Sequence, residues 1–499
     1  MKKAILVFII LCSIGAGYFY IQNASLDFFS TPKSKYFVSL KDGKFYLEEK
    51  EFYPVALNYM ISMQGDSKQF WPSAFKGYDP NGLFTYTNRD SSLMELAADF
   101  ELIKDMGFNT IRLVGIGEQR VEDKKTGVLS VKAHIGNDRD STLMLWNEEN
   151  YNKYFAALED LFHTANKAGL KVIFLCRLFN EIPSTEEHFA KIARHFQNDS
   201  TIMAYDLFNE PLYFDSLARD KKDVYYITKK WDKLVKKNAP KQLSTIGLTG
   251  IREVFEWDPN LMNIDFLSIH PYEYEPNQVR NEMYWYGKYI KVPWIIGETA
   301  IPADNDSVSY EDQKLFAERT LKQTYNCGGI GYSWWQYKDV EWFDFHANYL
   351  GVVSRNGETI NSKGNKVIGS PKPVADAFKK YNPTKSKEGC ECYDNYYNYS
   401  PFNTCRLKGI LVDEDEKPIE GGVILAWNEG WSKSYHTVTK KDGSFELLGP
   451  FPFYHWMASS TLHTMVRGDV LPDTAKKVSD AIPTMNLGTL KIEDLGLGN

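Results

Sequence analysis

Thr201-Ile-Met-Ala-Tyr-Asp-Leu-Phe-Asn-Glu-Pro211 decides the fold. It reads as a buried strand ending in Asn209-Glu210-Pro211, an ending that delivers a carboxyl group to the mouth of a barrel. A second segment, Val292-Pro-Trp-Ile-Ile-Gly-Glu-Thr299, delivers Glu298 in the same manner. The chain between the two glutamates has room for about three β-strand/helix units.

Working outward, apolar or β-branched runs recur at 53–59, 109–114, 170–176, 202–208, 242–248, 265–270, 294–297 and 330–335. Amphipathic stretches at 91–106, 148–168, 184–196, 221–238, 277–290 and 310–325 separate most of them. Eight strands with intervening helices predict an α/β fold, a (β/α)8 TIM barrel over 36–381, with its chemistry just past the C-terminal strand ends. The alternation in 36–46 around Asp42-Gly43 predicts a hairpin closing the barrel floor. After Tyr381 the pattern changes. Residues 382–404 lack periodicity and read as a linker, and 405–499 read as a small all-β sandwich with strands at 407–413, 422–427, 435–439 and 444–448. Trp427, Trp431 and Trp456 are read as sandwich core rather than as a sugar platform.

Two glutamates ending two strands of one barrel match a glycosidase, in which one carboxyl attacks or stabilises the anomeric carbon while the other protonates the leaving oxygen. The composition agrees. Lys+Arg number 58 against Asp+Glu 65, a net charge of −7, which disfavours nucleic acid as a partner. Aromatic residues form 15% of the chain, including 12 Trp and 31 Tyr; most are expected in packing, and the remainder suit the apolar faces of sugars.

Lys2-Lys3 followed by an apolar run to Tyr20 predicts a signal peptide or membrane anchor over 1–24, hence an exported protein: periplasmic, cell-surface or secreted. Leu11 before Cys12 is the wrong neighbour for a lipoprotein. Among the other cysteines, Cys176 and Cys327 fall in or beside barrel strands. Cys390, Cys392 and Cys405 cluster, predicting a disulfide from Cys405 to Cys390 or Cys392. Cys-Glu-Cys lacks the paired spacing of a zinc site, so no metal or other cofactor is expected.

Four segments together carry a resemblance: Ile192 through Pro211, Ser268-Ile-His-Pro-Tyr272, Ile295-Ile-Gly-Glu298 and Tyr332-Ser-Trp-Trp-Gln-Tyr-Lys-Asp339. Across 36–381 the chain resembles the cellulase-like glycoside hydrolases of family 5, within the clan of retaining (β/α)8 glycosidases. The resemblance implies Glu210 as acid/base and Glu298 as nucleophile. It implies Asn209 on the sugar hydroxyl beside the anomeric carbon, Arg112 holding the nucleophile ionised, Tyr272 touching Glu298, and His270 meeting substrate or Glu210. Trp335 is implied as the floor of the sugar site. Asn58 and Tyr59, with Phe70-Trp71, are expected to shape outer sugar sites. Where the family carries a histidine after strand three, this chain has Cys176-Arg177. The order of turn and strand residues after Leu407 resembles a carboxypeptidase-regulatory-like module. The expected activity is retaining hydrolysis of a β-linked polysaccharide or oligosaccharide, a β-glucan or β-mannan; transglycosylation and non-catalytic glycan binding on the same barrel are the alternatives.

Overall fold

The computed structural model describes residues 36–80, 88–117, 120–123, 128–135, 142–215, 217–341, 344–384, 389–401, 404–428, 433–450, 452–470 and 484–497. The expected leader over 1–24, with Cys12, and Trp431 lie outside them. Among the described residues no helix is long and apolar enough to cross a membrane.

Eight parallel strands close on themselves in chain order: Val55–Gly65, Thr110–Val114, Lys171–Leu175, Ile202–Asn209, Leu243–Leu248, Phe266–Ile269, Trp294–Ile296 and Tyr332–Trp334. Closure comes from pairing the eighth with the first, Tyr332 opposite Val55 and Trp334 opposite Leu57. Buried on both faces, such strands read as continuous apolar runs; along the fourth, every residue except Asn209 is buried. Helices Arg89–Asp105, Glu148–Lys167, Pro183–His195, Lys221–Asn238, Gln278–Tyr289 and Tyr310–Asn326 cover the outside. Several start where a side chain occupies the free amides of the first turn: Asn88 accepts from the Ser91 amide, Asn147 from Asn150, Asp220 from Lys222, and Ser309 from Asp312.

The N-terminal hairpin pairs Ser39–Lys41 with Lys44–Leu47 across Asp42-Gly43, both with positive φ (50° and 70°), as a two-residue hairpin turn requires. Val38 and Phe45 then plug the barrel floor against Ile173, Met203, Ala204, Leu243, Phe266 and Ile295. The first barrel strand runs well beyond its expected end. Its extension pairs with Phe70–Ala74 and, at Gln64 and Gly65, with Val128–Ile135, raising a β-wall above one side of the mouth.

The fifth strand is not followed by an α-helix. Two short 3-10 turns, Ile251–Phe255 and Pro259–Leu261, take its place, and strands Val423–Trp427 and His455–Ser459 of the C-terminal unit pack over the first of them. That unit is a sandwich of two sheets. In one, Cys405–Val412 lies between Ser444–Gly449 and Thr484–Lys491; in the other the order is Ser434–Val438, Val423–Trp427, His455–Ser459, Val466–Asp469. Leu407, Leu411, Ile424, Phe445 and Leu447 fill the space between the sheets, whereas Val423, Leu425 and Val438 join the barrel's own apolar core. Trp427 and Trp456, expected in the core, are half-buried.

The cysteine pairing differs from the expectation. Cys327, at the end of the helix Tyr310–Asn326, is bonded to Cys390 with a Cα–Cα distance of 4.7 Å, and Cys392 and Cys405 are free. The cause is the path of the supposed linker. Residues 389–399 lie against the barrel, with the Gln323 carboxamide donating to the Glu391 carbonyl (2.7 Å) and Asn281 donating to Asn395 (2.9 Å). Cys405 is buried at the start of a sandwich strand.

Candidate active site

The C-terminal strand ends converge on Arg112. Its guanidinium is fully buried and donates in four directions: Nε to Asp206 Oδ2 (2.8 Å), Nη1 to Asn58 Oδ1 (3.0 Å) and Glu298 Oε1 (2.5 Å), and Nη2 to Asn209 Oδ1 (2.8 Å). A buried cation is tolerable only when its donors are matched this way. With Oδ1 engaged by Arg112, the Asn209 carboxamide has its NH2 left to donate to a ligand.

Glu210 and Glu298 face each other across His270. His270 Nδ1 lies 3.0 Å from Glu210 Oε1 and 3.5 Å from Glu298 Oε1, and one ligating atom from each of the three side chains falls within 4.8 Å of the others. Such a trio could ligate a cation, but Arg112 already supplies positive charge in contact with Glu298. The ring of His270 is fitted by glycines on two neighbouring strands. A Cβ on Gly247 would come 2.5 Å from its Cε1, and one on Gly297 2.8 Å from its Nε2.

The two carboxyls sit in different surroundings. Burial lifts Glu210 to about 7, with Arg112 and Arg252 working against the rise. Burial raises Glu298 as well, against the pull of Arg112 and of the Tyr272 hydroxyl, which donates to Oε2 at 3.0 Å. Burial depresses His270 to about 4, so at neutral pH the imidazole is uncharged. Glu210 holds a left-handed backbone (φ 46°, ψ 61°), uncommon for a side chain larger than glycine and concentrated at functional sites. Its amide donates to the Gly247 carbonyl, and Pro211 opens the short helix Pro211–Phe214, so the chain turns sharply at the barrel mouth.

Arg112, Asn209, Glu210, His270, Tyr272 and Glu298 thus come together in one constellation. Trp335, half-buried, follows the eighth strand, and Trp334 is packed inside with Nε1 donating to the Leu350 carbonyl (2.8 Å). Asn58 requires a correction. Because its strand continues to Gly65, it lies within the strand and not at its end, fully buried; its amide donates to Gly297 O, Ser333 Oγ and Trp334 O. It orients Arg112 and does not reach the cleft. Tyr59 is likewise buried, donating to Asp99, and Phe70 and Trp71 are buried in the β-wall. Asp206 is not among the expected site residues, although a charged residue inside an apolar strand run is the mark of a buried partner. After strand three, Arg177 takes a positive φ (43°) and stacks on Phe214, its guanidinium carbon 4.9 Å from the ring centroid.

A family model described as cellulase (glycosyl hydrolase family 5) matches residues 75–339. No curated protein sequence compared with the chain matches it. Among solved structures, a β-D-glucuronidase from Dictyoglomus thermophilum is 15% identical with a TM-score of 0.45, covering 70% of this chain and 55% of its own. An endo-1,4-β-mannanase from Rhizomucor miehei is 12% identical with a TM-score of 0.43, covering 60% of this chain and 90% of its own. The chain therefore spans about half the length of the glucuronidase, and likeness at this level carries no argument about substrate.

Proposed function

Because the chain belongs to glycosyl hydrolase family 5, and is thus a glycoside hydrolase, we propose that it cleaves a β-linked glucan or mannan with retention of anomeric configuration. The observation that carries this reading is the spacing of the glutamates. An oxygen of Glu210 within 4.8 Å of one of Glu298 supports the close pair of a retaining site, whose carboxyl groups stand roughly 5–5.5 Å apart, against roughly 6.5–9.5 Å in an inverting one.

The Glu298 carboxylate, which accepts from Arg112 and Tyr272, forms the bond to the anomeric carbon as the glycosidic C–O bond breaks. The departing electron pair stays on the leaving oxygen, which takes the proton of Glu210. Water then attacks the same carbon and gives a proton to Glu210, and the Glu298 carboxylate departs with its electrons. The Asn209 amide is suited to the hydroxyl beside the anomeric carbon, a contact that strengthens as positive charge develops on the ring. Trp335 offers an apolar face beneath it. The reading extends to location: a charged start with an apolar run, together with the Cys327–Cys390 disulfide, favours export to an oxidising compartment.

The test is proton NMR of the first product released from β-glucan and β-mannan oligosaccharides. Retention gives the β-anomer first, followed by mutarotation. An α-anomer as first product overturns the mechanism, and no cleavage of any β-glycan overturns the function.

A further inference from the structure

Beside Glu210 the cleft continues into a cavity of about 130 Å³ whose lining includes Glu210, Tyr213, Arg252, Tyr272, Tyr274 and Glu282. Since Glu210 is the residue read as proton donor, this lobe lies on the side where the leaving group departs; the inference rests on that reading. Two of its rings stand in solvent, Tyr213 at 53% and Tyr274 at 76% exposure, presenting flat apolar faces of the kind that sugar rings stack on.

The charges in the lobe are unevenly matched. Arg252 sits on the 3-10 turn Ile251–Phe255, where its Nη2 donates to the Tyr213 hydroxyl (2.5 Å) and its guanidinium lies 5.7 Å from the Tyr213 ring centroid. Among the described residues no carboxylate forms an ion pair with it, and its Nε and Nη1 have no protein acceptor. The acids nearby are occupied. Glu282 accepts from the Ile251 amide (3.2 Å), the Tyr286 hydroxyl (2.5 Å) and the Gln278 carboxamide (3.1 Å); Glu253, on the same turn, accepts from the Thr249 amide and hydroxyl (both 3.1 Å). Both are pushed by burial toward the neutral acid, as is Glu210. An unmatched guanidinium held by an aromatic ring, with donors left over, suits a planar or tetrahedral anion.

We propose that this lobe is a leaving-group subsite selecting an acidic residue within a glucosyl or mannosyl β-glycan, with Arg252 pairing to a carboxylate or sulfate on the residue that Glu210 releases. Uronic acids and sulfated sugars share this chemistry. The test uses β-linked glucosyl and mannosyl disaccharides matched except at the reducing end, which is glucose, glucuronic acid or glucose 6-sulfate. The expected kcat/KM ratio of acidic to neutral member is roughly 10- to 100-fold, the range of one charge-assisted hydrogen bond. It should collapse toward unity in Arg252→Gln and recover in part in Arg252→Lys, and added salt should erode it. The higher ratio for carboxylate or for sulfate identifies the source. A neutral member preferred by the wild type, or a ratio that survives Arg252→Gln, overturns the inference. Calorimetric titration with the same disaccharides keeps the two readings apart. If nothing is cleaved the glycosidase reading fails, while acid-selective binding lost in Arg252→Gln still supports the subsite, and equal binding of acidic and neutral members overturns it.

Discussion

Arg112 draws Asn58, Asp206, Asn209 and Glu298 to a single buried guanidinium, so the geometry of the nucleophile and of the amide beside it rests on one side chain. Glu210 is held differently, by burial, and that has a measurable cost. In the fold it keeps its proton to about 7, against an ordinary 4.5. Between those values the folded chain binds more protons than the unfolded one, so stability present below pH 4.5 is lost as pH rises toward 7. Glu210→Gln should therefore unfold at higher urea than the wild type at pH 8, by on the order of 1–3 kcal/mol, and at the same urea at pH 4. Equal midpoints at both values would mean that burial does not tune this acid. Residues at strand ends with motif neighbours, such as Glu210, Glu298, His270 and Tyr272, were legible because position along a strand and chemistry coincide. Asn58 departs from its expected place since a sequence does not reveal that its strand continues past the barrel rim. Arg252 was invisible because its place beside the cleft depends on a turn standing where a helix is expected.

Among the elements, the eight barrel strands and the main helices could be read from periodicity, and their limits moved by only a residue or so at most ends, the first strand excepted. What periodicity did not announce was the substitution after strand five. The short turns Ile251–Phe255 and Pro259–Leu261 cover less of the barrel than a helix, and the sandwich sheet fills the difference. The disulfide departs from its expected pairing for a related reason. Clustering in sequence favoured partners within the linker, but docking of 389–399 on the barrel brought Cys390 to a helix end 63 residues away in sequence. Closing a loop of that length restricts the unfolded chain, so Cys327→Ser with Cys390→Ser should destabilise the protein by about 2–4 kcal/mol. Scanning calorimetry checks this as a lowered Tm, and reducing agent should lower the wild type to match. An unchanged Tm would mean that docking alone holds the segment.

Across the whole molecule, the barrel and sandwich are joined by more than the chain between them. Buried Lys221 donates to Asp258 on the barrel (3.0 Å) and to Ser459 Oγ and Ser460 O on the sandwich (both 2.8 Å), and Trp285 donates to the Gly421 carbonyl (2.8 Å). Cutting the chain near Tyr381 would leave Lys221 without two of its partners and expose apolar barrel surface now shared with Val423, Leu425 and Val438. A shortened protein of this kind is expected to be insoluble, or soluble and inactive, and the full chain to melt in one calorimetric transition. A soluble shortened barrel with full activity would show the sandwich to be dispensable. The contact reaches the cleft as well, since His436 of the sandwich stands 4.0 Å behind Glu282, which lines the lobe beside Glu210. Trading such a module for an unrelated one by recombination would remove His436 from behind Glu282 and two partners from Lys221, so the two parts are expected to be inherited as one unit.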